Sequence, residues 1–191
     1  MTEVEETKDY GYLGWAYSLA KDYARNSNSV SYVYGKLRGL AQPWISTNFN
    51  VHQIEEGVYI GDLASASNYE KLKEHGITHI ITAVLGVSPQ FPKDFTYLTV
   101  PIKDVETEDI RPYLGQTTSF IDNALASGGK VFVHCMCGVS RSASIVAAWL
   151  MTKRGEDVDD IIQFIRNKRG CVDPNIGFRD QLKEYKLETR M

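Results

Sequence analysis

A thiol and a guanidinium stand with five residues between them in the run Val131-Phe132-Val133-His134-Cys135-Met136-Cys137-Gly138-Val139-Ser140-Arg141-Ser142. That spacing gives the backbone between Cys135 and Arg141 enough length to wrap around one tetrahedral anion. The N–H groups of Met136, Cys137, Gly138, Val139 and Ser140 can then point inward as an anion nest. A thiolate is the reactive form of cysteine, and nearby cations or a helix N-terminus pull a thiol toward it. Arg141 offers a planar fork that holds two oxygens of one anion, which a lysine cannot imitate. Ser142 is placed to donate to the sulfur and stabilise it as a leaving group. His134 reads as a brace of the loop through hydrogen bonds. Gly138 permits a backbone shape that a side chain resists.

These groups act together only if a scaffold fixes them. Val131-Phe132-Val133 is a short buried run, so the sequence predicts a strand over Lys130–His134 that ends at Cys135. The apolar stretch Ser142–Met151 predicts a helix whose positive end faces the same loop. In an α/β fold the carboxyl edge of the sheet is where ligands bind. Further strands are expected over Gly57–Gly61, Ile77–Val84 and Phe95–Ile102. Helices are expected over Asn68–His75, Ile110–Ser127, Val158–Asn167 and Gly177–Leu187. Strands alternating with helices imply an α/β domain, with a mostly parallel central sheet flanked by helices.

Composition narrows the class. The 191 residues suit one domain with an additional arm. A formal net charge of −3 lacks the basic excess of a general nucleic-acid binder. Three cysteines, Cys135, Cys137 and Cys171, make neither a disulfide framework nor a zinc spacing. The expectation is a reduced protein of the cytoplasm, nuclear entry being left open. Met1–Tyr10 lacks the pattern of a secretory signal, and no stretch has the length of a membrane span. Cys137 and Cys171 read first as inert thiols, since buried cysteine behaves as a small hydrophobe; the alternative left open is a redox partner that traps an oxidised Cys135.

The texture changes near Asn48–Asn50, giving an expected N-terminal helical arm over 1–49 and a catalytic domain over 50–191. Tyr12, Trp15, Leu19 and Tyr23 fall on one helical face, and Val33, Leu37, Leu40 and Trp44 on a second. Three readings of this arm stand open: packing on the catalytic domain, a homodimer contact, or docking of a partner.

At these residues the chain resembles the dual-specificity branch of the protein tyrosine phosphatase superfamily, and most of all its small atypical members. The motifs are Val-Tyr-Ile-Gly-Asp at 58–62, Gly-Ile-Thr-His-Ile at 76–80, the 134–142 loop and Pro-Asn-Ile-Gly-Phe at 174–178. The resemblance implies hydrolysis of phosphotyrosine and phosphoserine or phosphothreonine in proteins, through a phosphocysteine, with no metal or cofactor. It implies a general acid on a loop upstream of the cysteine strand. Pro101-Ile102-Lys103-Asp104 matches that loop, so Asp104 is the expected acid, with Glu106, Glu108 and Asp109 as neighbours able to substitute. Asp109 is also placed to cap the next helix. Asn175 is expected to support the phosphate loop. A mitogen-activated protein kinase is the substrate that the family suggests. Rival readings are a phosphopeptide-holding module and a phosphatase of non-protein substrates. Such holding modules usually lose the cysteine or the arginine, and both are present here. The 134–142 loop also lacks the extra cations that a polyanionic lipid headgroup would call for.

Overall fold

The computed structural model describes residues 49–189. The arm expected over 1–49, with its two stripes and any contact with a second copy, therefore lies outside the described residues except for Phe49.

Five strands form one sheet in the order β1-β2-β5-β3-β4. They are β1 (Val51–Glu55), β2 (Val58–Gly61), β3 (His79–Thr82), β4 (Thr96–Thr99) and β5 (Val131–His134). β5 lies between β2 and β3 and runs parallel to both, and β4 is parallel to β3. β1 pairs antiparallel with β2, so the sheet is mixed at one edge and parallel elsewhere. The central strand has no polar outlet before its end, since Val131, Phe132 and Val133 are fully buried. A strand covered on both faces reads as a continuous apolar run, and that is how the sequence writes it.

Among the described residues six helices accompany the sheet: α1 (Leu63–Ala66), α2 (Tyr69–Glu74), α3 (Arg111–Ala126), α4 (Arg141–Arg154), α5 (Val158–Lys168) and α6 (Ile176–Thr189). α4 is the hub, packing against β5 and β2 and against α3, α5 and α6. Every residue from Arg141 to Met151 is buried, as expected of a helix with neighbours all round. Its last turn carries Lys153 and Arg154, which complement the negative end of the helix dipole.

Every helix and strand predicted between Val51 and Leu187 has its counterpart here, with ends displaced by a few residues. Two elements were not read from sequence. β1 buries Ile54 alone and is otherwise half-exposed or exposed, so it carries no apolar alternation. α1 spans four residues, too short for a helical period.

Candidate active site

The end of β5 delivers Cys135 to the carboxyl edge of the sheet, and α4 begins at Arg141 on the far side of the loop. Between them the carbonyls face outward one after another. Met136 O accepts from Leu63 N–H at 3.2 Å, Val139 O from Asp173 N–H at 2.9 Å and Ser140 O from Ser144 N–H at 2.9 Å. Cys137 O and Gly138 O accept from Arg169 at 3.2 and 2.8 Å. In a planar trans peptide the C=O and the following N–H point in opposite directions. Five outward carbonyls at 136–140 therefore turn the N–H groups of residues 137–141 inward. Gly138 N–H donates to Cys135 Sγ at 3.2 Å. The loop is a nest with the sulfur at its floor.

Gly138 has φ +66°, and a Cβ there would stand 2.5 Å from Gly61 O and 2.6 Å from Arg169 Nη2. Both the left-handed backbone and the close approach of β2 call for glycine.

Cys135 is 1% exposed, and burial pushes its thiol pKa up more strongly than any other single influence. The Arg141 charge and a hydrogen bond with the Ser142 hydroxyl act the other way, with help from a Ser142 backbone bond. Asp104 opposes them, yet the net result lies below the ordinary thiol value. Ser142 Oγ is 3.3 Å from the sulfur. Two residues away the outcome reverses. Burial and the neighbouring Cys135 push the Cys137 thiol up to about 12, which leaves it protonated and unreactive. Cys171 is partly exposed.

His134 is paired in register with Thr82, and its Nε2 lies 2.9 Å from Thr82 Oγ1. Its Nδ1 lies 3.4 Å from Cys135 O. Burial lowers its pKa to about 4, with the Arg141 charge acting in the same direction. A neutral imidazole thus sits at the base of the loop, bonded to the Thr82 hydroxyl and close to the Cys135 carbonyl.

Asp104 reaches the site on the irregular segment after β4. Its Oδ1 accepts from Ser140 Oγ–H at 2.7 Å and from Asn175 Nδ2–H at 3.0 Å. Its Oδ2 lies 3.6 Å from Arg141 Nε. Arg141 Nη1 also reaches Ile102 O, two residues before Asp104, at 3.5 Å. Of the neighbouring acids, Asp109 has its carboxylate engaged by Arg111, while Glu106 and Glu108 meet α6 through their backbone. Asp109 Oδ1 accepts from Arg111 N–H at 3.1 Å and pairs with its side chain, while Ile110, not Asp109, holds the N-cap position of α3. Glu108 O and Ile110 N–H both bond Gln181 of α6. Glu106 presses its backbone onto α6, where a Cβ on Gly177 would collide with Glu106 O.

Asn175 joins the two loops. Its N–H donates to Ser140 Oγ at 3.1 Å, its side chain holds Asp104, and its Oδ1 caps α6 through Phe178 N–H at 2.9 Å. The sequence put Ser140 in the site through its backbone. The structure adds that its side chain ties the loop to Asp104. Thr82 and Arg169 were missed altogether. A threonine in a β-branched run looks like any strand residue, and Arg169 sits in a basic stretch that reads as solvated surface.

The family model described as "Dual specificity phosphatase, catalytic domain" matches residues 58–188. Dual specificity protein phosphatase 1B of Arabidopsis thaliana is 35% identical over 153 residues, 80% of this chain and 92% of that protein. Protein-tyrosine-phosphatase MKP1 of the same organism is 38% identical over 131 residues, 68% of this chain but 17% of its own length. Among solved structures, a human tyrosine phosphatase-like serine/threonine/tyrosine-interacting protein superposes with a TM-score of 0.73 at 35% identity. It is covered completely, by 75% of this chain.

Proposed function

Because this chain belongs to the dual-specificity phosphatase family, whose members remove phosphate from tyrosine and from serine or threonine through a phosphocysteine, we propose that Cys135, Arg141, Asp104 and Ser142 carry that reaction here. The observation that supports this assignment is the inward nest over Cys135, closed by Arg141 and bordered by Asp104.

In the first step the Cys135 thiolate attacks phosphorus while Arg141 and the loop N–H groups of 137–141 hold the equatorial oxygens. The phosphorus–oxygen ester bond breaks, and Asp104 gives its proton to the departing phenol or alcohol oxygen. In the second step water attacks the phosphocysteine and passes a proton to the Asp104 carboxylate. The phosphorus–sulfur bond breaks, inorganic phosphate is released, and Ser142 Oγ–H stabilises the returning thiolate. Asp104 uses one oxygen to stay anchored on Ser140 and Asn175, which leaves the Arg141 side of the carboxyl for proton transfer.

The decisive experiment is hydrolysis of para-nitrophenyl phosphate and of phosphotyrosine and phosphothreonine peptides by wild type and by Cys135→Ser. The variant should lose turnover on the order of 10⁴-fold or more while still binding the phosphopeptide. Turnover near the wild-type rate would remove Cys135 from the mechanism.

The substrates are phosphoproteins. Among them we propose a mitogen-activated protein kinase, a reading supported by the likeness to the phosphatase named MKP1. A doubly phosphorylated activation-loop peptide of such a kinase should be cleaved faster than a composition-matched scrambled phosphopeptide, and equal rates would withdraw the kinase. The loop positions 136–140 hold no lysine or arginine, which disfavours a phosphoinositide headgroup.

A further inference from the structure

Arg169 heads the largest fully buried side chains among the described residues, at 1% exposure. An arginine is rarely buried unless it is paired, because its charge loses hydration. Here none of the observed hydrogen-bond partners is a carboxylate. Nε donates to Gly138 O at 2.8 Å and Nη2 to Cys137 O at 3.2 Å. Nη1 is held by Asn50 O at 3.3 Å, Asn50 Oδ1 at 2.9 Å and His52 Nδ1 at 2.8 Å. These are three main-chain carbonyls, one amide oxygen and one imidazole nitrogen. A guanidinium can only donate, so His52 Nδ1 is the acceptor in this contact, and burial and the Arg169 charge both lower the His52 pKa.

Two of these partners are successive carbonyls of the phosphate loop. The Cys137 carbonyl shares its peptide with Gly138 N–H, which donates to Cys135 Sγ at 3.2 Å. The Gly138 carbonyl shares its peptide with Val139 N–H, the next inward amide. A cation on the oxygen side of a peptide draws electron density toward itself and makes the opposite N–H a stronger donor. One guanidinium thus grips and polarises two peptides from behind, on the face opposite the reacting atoms. His52 of β1 and Asn50, the residue just before that strand, hold the other end of the same guanidinium.

We propose that Arg169 is a positioning residue for the phosphatase reaction, which fixes and polarises the 137–138 and 138–139 peptides so that their N–H groups serve the Cys135 sulfur and the transferring phosphoryl group. It rests on the phosphocysteine reading of the site but acts through the loop, without touching substrate. Lysine cannot replace it, because the fan of bonds from Nε, Nη1 and Nη2 needs the planar fork.

The test is the pH dependence of Cys135 alkylation by iodoacetamide, read by mass spectrometry on the Cys135 peptide so that Cys137 and Cys171 do not contribute. Inhibition of turnover by inorganic phosphate is measured beside it. Arg169→Lys and Arg169→Gln should each move the alkylation profile to higher pH and weaken phosphate inhibition roughly 10-fold, the scale of one charge-assisted hydrogen bond. Ile162→Ala, a core deletion in helix α5, which Arg169 follows as the C-terminal cap residue, should lower Tm and leave the alkylation profile unmoved. A folded Arg169 variant with the wild-type profile and wild-type phosphate inhibition would overturn the proposal. If neither Arg169 variant folds, wild type supplies the reading. Inorganic phosphate should slow hydrogen exchange at Arg169 Nε–H in NMR, and an unchanged exchange rate would overturn the proposal equally. Because alkylation needs no substrate, it stays readable even if Cys135 proves not to turn over phosphoesters.

Discussion

The phosphate loop over 135–141 and the acid segment over 101–110 meet at Ser140 and Asp104, but they are held by different means. The phosphate loop is clamped between the central strand and the central helix, and its carbonyls at 136–140 are tied outward by α1, α4, Arg169 and Asp173. The acid segment has no strand or helix of its own. Asp104 is placed by two side chains, Ser140 and Asn175, and the backbone near it by Gly177 and Gln181 of α6. A nucleophile nest needs several donors converging on one point, so it is built into the core. A proton donor needs one group at one distance, so a few bonds from α6 suffice. Damage to the first should therefore weaken the thiolate itself, and damage to the second should impair proton delivery without weakening the thiolate.

Four changes test that division. Asp104→Asn should reduce kcat by roughly 10²–10⁴, the range for a general acid, on an aryl phosphate with a poor leaving group. The loss should shrink as the leaving group improves, while Cys135 alkylation still yields thiolate at or below its wild-type pH. A loss independent of leaving group would make Asp104 something other than the acid. Gly138→Ala forces a Cβ into Gly61 O and Arg169 on a left-handed backbone. It should cost about 10² in kcat/KM, the usual scale of a misplaced reacting group, with the same factor for good and poor leaving groups. Dependence on the leaving group there would blur the division.

Gly177→Ala should push Glu106 away from α6 and carry Asp104 with it. The expected outcome is a loss of roughly tenfold that depends on leaving group and spares the alkylation profile of Cys135. A shifted profile would mean that the two loops move as one body.

The last effect concerns stability and leaves the reaction rate aside. His134 has a folded pKa of about 4 against an ordinary 6.5. Below pH 6.5 the unfolded chain takes up a proton that the folded chain refuses. Stability from this group is intact above pH 6.5, is lost as pH falls, and levels off near pH 4. The total is about 3 kcal/mol. Chemical denaturation of wild type and His134→Gln across that window should show the slope disappear in the variant. An unchanged slope would assign the acid sensitivity to other groups.

The sequence alone determined what is local. Cys135, Gly138, Arg141 and Ser142 lie on one short stretch between an apolar strand and an apolar helix, so spacing and periodicity carried both the chemistry and its frame. Asp104 was legible as a motif residue, through resemblance. Its anchors were not, because Ser140 and Asn175 lie 36 and 71 positions away and meet it only after α6 folds back. Thr82 became a partner of His134 because β3 and β5 pair in one register, which no residue of either strand states by itself. Arg169 looked like one more surface cation. Its burial against Gly138 was decided by α5 packing beside β1, because a charge can leave water only where the whole fold has gathered enough acceptors to receive it.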